Sequence, residues 1–159
     1  MASVDNLYAV VAVFFVAVSF FAIAIMWNAI TDSDLATDLF DRTSVGSNAK
    51  AEGESIISNL GGLFLIIYFG IHIGILVLAF ALPSRPIVYV VGLIILLILV
   101  MVAAPLSNAY ETLANNPDSL IVQAKADVGL MHDVMLNLPV WEIIFGFIVL
   151  LIIAGMGRE

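Results

Sequence analysis

The sequence predicts an all-α integral membrane protein with four transmembrane helices in a single membrane domain. Three observations carry this. Of 159 residues, 63% are hydrophobic and 11% charged, and mean hydropathy is +1.16. A soluble domain has roughly 45–50% apolar and about 25% charged residues, and a chain this short has too little interior to hide such an excess. The apolar residues fall into four runs, each near the ~20 residues that a helix needs to cross a hydrocarbon core. Proline, asparagine and charged residues separate the runs.

The first span is expected at 7–30, with Asp5 or Asn6 as N-cap and Tyr8 and Trp27 near the interfaces. Its flank has no basic residue, and Met26-Trp27-Asn28 is not a small-residue cleavage site, so it reads as a retained span rather than a leader. The second span is expected at 56–82, ended by Pro83. The third, at 86–106, begins on Pro86, a residue suited to a first helical turn. The connector Leu82-Pro83-Ser84-Arg85 is short enough to predict a tight antiparallel hairpin, with Arg85 reaching the headgroups. The fourth span, 140–156, starts after Asn137 and Pro139 and exits at Arg158-Glu159. Glu142 lies in its first turn, at an expected interfacial depth where the helix dipole favours an acid.

Two polar loops remain, 31–55 and 107–139. In the first, Leu35, Leu39 and Phe40 share one side of a short helix, and Val45-Gly46-Ser47-Asn48 reads as a turn. In the second, Ile121, Ala124, Val128, Met131, Met135 and Leu138 recur at spacings of three and four, the stripe of an amphipathic extramembrane helix. Such a helix packs on the chain's own spans or on a partner's, and Ile121, Val128, Met131 and Met135 are the candidates for a partner-facing surface.

Charge excludes several functions. Thirteen acidic residues against five basic ones give −8, which argues against nucleic acid and against anchoring on anionic lipid. Without cysteine there is no disulfide, thiolate nucleophile or thiolate metal site. Asp32, Asp34, Asp38 and Asp41 fit the wet face of a helix better than a calcium loop, which needs converging oxygens and a turn glycine. No nucleotide loop, zinc-protease motif or nucleophile elbow occurs. His132-Asp133 has no nucleophile beside it, so no catalytic residue, metal or cofactor is assigned.

Polar chemistry within the spans centres on His72, a functional candidate by virtue of its depth. It fits a haem or metal ligand, a proton-relay group, or, most simply, a neutral histidine bonded to a neighbouring helix. Tyr68, one turn earlier, belongs to the same face. Gly70 and Gly74 form a small-xxx-small pair on the opposite side, since two residues turn a helix by about 200°. Gly62 extends that smooth side, whose expected use is packing within the chain, with association into a homo-oligomer as the alternative. Together Gly62, Tyr68, Gly70, His72 and Gly74 are the expected helix-packing residues.

In size and composition the chain is similar to small multi-span proteins of membrane-containing virions and to accessory subunits of membrane complexes; no motif carries that likeness, so no site follows from it. The expected function is a non-catalytic structural subunit of a larger membrane assembly, with lipid and other membrane or capsid-type proteins as partners. The alternatives are a small holin-like pore or channel oligomer, and a haem- or proton-carrying subunit using His72. The long, acidic, base-poor loops point to termini on the inside.

Overall fold

A computed structural model describes residues 2–80 and 86–155, leaving the expected connector at Leu82–Arg85 and the exit at Arg158–Glu159 outside the described residues. The chain is all helical: α1 (Ala2–Thr31), α2 (Asp34–Asp41), α3 (Ser44–Ala79), α4 (Pro86–Ala114), α5 (Ser119–Asp127), α6 (Gly129–Leu136) and α7 (Leu138–Gly155). Of these, α1, α3, α4 and α7 are long and apolar enough to cross a membrane.

The helices outrun their expected bounds. Thr43 caps α3, its hydroxyl accepting from the Gly46 amide at 3.0 Å, so the expected turn at 45–48 is helical. α1 begins upstream of Asp5 and Asn6, which are therefore not its cap. α4 continues through Pro105 to Ala114, and α7 begins at Leu138, with Pro139 in its first turn, where a missing amide hydrogen costs nothing.

Each long helix buries one stripe. On α1 it is Val10, Val13, Ala17, Phe21, Ala24 and Asn28; on α4 it is Leu99, Ala103, Ser107, Tyr110 and Ala114. The stripes meet in a ring in which α1 and α7 each pack against both α3 and α4. Among the described residues α3 and α4 make no close backbone approach; two intervening helices keep apart the elements expected to form a direct hairpin.

The amphipathic segment is corrected in two respects. It is two helices, broken at Val128, and its stripe faces its own bundle rather than a partner: Ala124, Val128, Met131, Met135 and Leu138 are fully buried, while Ile121 is half-buried. Polar clasps hold it down. Asn28 Nδ2 donates to Asp127 Oδ2 at 3.0 Å, and Ser107 Oγ donates to the Leu136 carbonyl at 2.9 Å. A polar group buried without such a partner costs more than the bond itself contributes.

The packing glycines are also not the expected ones. Among the described residues nothing beyond the adjoining helical backbone lies within 4 Å of where a Cβ on Gly62, Gly70 or Gly74 would stand; Gly70 and Gly74 are exposed and Gly62 is half-buried. The close approach is between α4 and α7: a Cβ on Gly92 would come 2.9 Å from Leu150 Cδ2, and one on Gly146 would overlap the Leu96 side chain. Accordingly, Gly146→Val is expected to lower stability by about 1–3 kcal/mol through overpacking. Gly70→Ala and Gly74→Ala should change it by less than about 1 kcal/mol, in the stabilising direction. Thermal unfolding of the purified protein in detergent checks both.

Candidate functional site

His72 and Glu142 come from different helices and are 95% or more buried. α3 supplies Tyr68 and His72 one turn apart, and α7 supplies Glu142. The sequence reading gave Glu142 no partner on another helix; the structure buries it against α3. α7 starts two residues earlier than expected, and its fit to α4 through Gly92 and Gly146 swings the carboxyl inward, on the face shared with Leu138, Leu150 and Ile153.

The hydrogen bonds constrain where protons sit. His72 Nδ1 lies 2.8 Å from the Tyr68 carbonyl oxygen. A carbonyl only accepts, so Nδ1 carries hydrogen and donates. His72 Nε2 lies 3.2 Å from Glu142 Oε1 and 3.4 Å from Oε2. In a neutral imidazole with Nδ1 protonated, Nε2 is an acceptor, and a bare carboxylate is also an acceptor. Two acceptors at this distance require one proton between them. The pair is therefore a carboxylic acid donating to neutral imidazole or an imidazolium donating to carboxylate; both hold one proton and have no net charge. Tyr68 completes the set, its hydroxyl donating to Glu142 Oε1 at 3.2 Å. The aromatic rings of Tyr68 and Phe145 flank the imidazole, each with its centroid 4.3 Å away.

Below the cluster lies a cavity of about 250 Å³ between α1, α3, α4 and α7. Its walls include Val13, Ile75, Ile95, Leu99, Val149 and Ile153, and among the described residues His72 and Glu142 are its only titratable lining. It runs from the cluster toward the end of the bundle where α1 begins and α7 ends. On the other side of the cluster Phe21, Phe64, Tyr68, Met135 and Leu138 close the interior.

Of the expected site residues, Tyr68 and His72 are brought together and Gly62, Gly70 and Gly74 are not. Glu142 was missed as a site residue, although its spacing of four from Leu138 and eight from Leu150 was the available signal. Both nitrogens of His72 are engaged by protein, which disfavours haem ligation. Among the described residues no three His, Asp or Glu side chains converge to hold a metal ion. Asp38 pairs with Arg42 at 2.7 Å on the exposed face of α2.

A second buried histidine lies outside the four long helices. His132 on α6 faces Tyr110, with ring centroids 5.7 Å apart, and its Nδ1 is buried without a hydrogen-bond partner. Burial, aided by Lys125 and opposed by Asp133, holds its pKa below the ordinary value, since an imidazolium must place hydrogen on both nitrogens.

Compared with known proteins, the chain matches no family model, no curated protein and no solved structure.

Removing one partner of the cluster leaves a buried polar group unsatisfied, so Glu142→Ala and His72→Ala are each expected to cost about 3–5 kcal/mol. His72→Phe with Glu142→Leu should cost less than the sum of His72→Phe alone and Glu142→Leu alone, by a coupling of about 0.5–3 kcal/mol in a double-mutant cycle of unfolding free energies.

The shift at His132 gives a sign. With its folded pKa lowered, the unfolded chain binds more protons as pH falls below about 6.5. Its stabilising contribution is complete above that pH and declines on acidification toward the folded pKa. The wild type should therefore lose more stability than His132→Gln between pH 7 and 5, measured by unfolding at both pH values.

Proposed function

We propose that the chain is an integral membrane protein, inserted through α1, α3, α4 and α7 with its termini inside, and that it is a proton-holding subunit of a larger membrane assembly. The observation that carries the reading is the 3.2 Å approach of His72 Nε2 to Glu142 Oε1. Sequence reasoning left His72 without a second ionisable group at membrane depth; Glu142 supplies it. Ionisable side chains in spanning helices are expensive and as a rule serve a pathway or a relay. One exchangeable proton on a pair without net charge is the form in which such groups persist in a low-dielectric interior.

The non-catalytic structural reading keeps one specific support, the outward-facing Gly70 and Gly74 on α3, a smooth strip suited to a neighbouring helix. It is compatible with the proton-holding role, because both place the chain within an assembly. A pore along the axis of one chain is disfavoured by the buried aromatic and methionine side chains that fill the interior above His72.

Infrared spectroscopy of Glu142 and nitrogen NMR of His72, on the full chain in lipid at pH 7, test the proton. The expected result is one proton per pair, seen as a protonated carboxyl with neutral imidazole or as carboxylate with imidazolium. In the first case the carboxyl band shifts in D2O and disappears in Glu142→Gln. A carboxylate beside a neutral imidazole would sink the reading.

A further inference from the structure

We infer that the cavity beside Glu142 is a one-sided access path through which water brings protons to the His72–Glu142 pair, from the end of the bundle where α1 begins and α7 ends. This deepens the proton-holding reading and rests on it.

The cavity is built on the ring of helices. Toward the ends of α3 and α7, Ala9, Ile75, Val88 and Ile153 line the space among the described residues. From Glu142 to Ile153 is eleven residues, about 16 Å of helical rise. Spread over that length, about 250 Å³ describes a slender passage rather than a globular pocket. Its walls are apolar until the floor, where Glu142 and His72 are reached. Glu142 Oε2 has its nearest hydrogen-bonding atom at 3.4 Å, on His72, so it retains capacity for a water molecule.

The opposite approach is blocked twice. The rings of Phe21, Phe64 and Tyr68 are fully buried beyond the cluster, as are Met135 and Leu138. α5 and α6 then lie across that end, clasped by Asn28 to Asp127 and by Ser107 to the Leu136 carbonyl. A proton leaving Glu142 that way has to displace packed side chains; one leaving through the cavity needs only transient wetting. Apolar passages stay mostly dry and fill intermittently, which makes access slow and leaves the pair neutral at rest.

The chain has no cysteine, so single cysteines report access directly. Ile95→Cys and Val149→Cys place a thiol on the cavity wall, Ala103→Cys places one in the packed half, and Asp118→Cys marks the α4–α5 end. Each full-length variant is placed in vesicles of one insertion sense and exposed to a small, membrane-impermeant, cationic methanethiosulfonate from either side. Ile95→Cys and Val149→Cys are expected to react only from the side opposite Asp118→Cys, about 10- to 100-fold more slowly than an exposed thiol. Ala103→Cys should react from neither. Labelling of the wall from the Asp118 side, or from neither side, overturns the one-sided path; the latter is the result expected if a lipid chain fills the cavity. In unlabelled Val149→Phe, deuterium uptake at the pair, read at the Glu142 carboxyl band or at the His72 nitrogens, should slow at least tenfold. An unchanged rate also overturns the path. The proton on the pair is read spectroscopically and the path by labelling, so failure of one is distinguishable from failure of the other.

Discussion

A carboxyl group buried between apolar helices cannot stay charged and alone, and the arrangement around Glu142 follows from that. It needs a proton or a cation, and donors for the oxygens that remain. α3 provides both from one face, through His72 Nε2 and the Tyr68 hydroxyl. The Tyr68 carbonyl in turn fixes the imidazole with hydrogen on Nδ1. Three side chains and one carbonyl thus set the register of α3 against α7. The register of α7 against α4 is set separately, by Gly146 under Leu96 and Gly92 under Leu150. The two constraints are compatible because α6 ends one residue before α7 begins, and Ser107 holds the end of α6 against α4.

Most of the architecture was legible in the sequence because it rests on composition and period. Four apolar runs of spanning length give four long helices, and the three-and-four spacing from Ala124 to Leu138 marks a buried stripe. What the sequence did not display is which faces meet. Gly70 and Gly74 carry the strongest local packing pattern, yet they face outward, while Gly92 and Gly146, with no small residue four positions away, lie where α4 and α7 pack closely. A spacing rule describes one helix; packing requires two. His72 and Glu142 are 70 positions apart, and their pairing depends on the depth at which α7 starts. Reading Glu142 as an acid in a first turn, with no partner on another helix, made the histidine look solitary.

The two halves of the bundle differ in physical character. Above the cluster, aromatic rings and methionines fill the interior and α5 and α6 cover it. Below it α1, α3, α4 and α7 surround a cavity. Packed interiors resist volume change and hold their side chains in fixed rotamers, so the upper half supports the precise geometry of the cluster. The lower half is where water or a chain of lipid enters at small cost, since few contacts need to break.

A purely structural latch explains this arrangement poorly. Apolar side chains of similar volume usually replace a buried ion pair with no loss of stability, and often with a gain. A cavity in a helix bundle likewise costs dispersion contacts that filling it would restore. Here the two liabilities coincide, the cavity ending on the one ionisable pair that α1, α3, α4 and α7 bury among the described residues. Either alone fits an imperfectly packed scaffold. Together they give a proton-bearing group and a route to it, and the stability forgone is the expected consequence of keeping that group reachable.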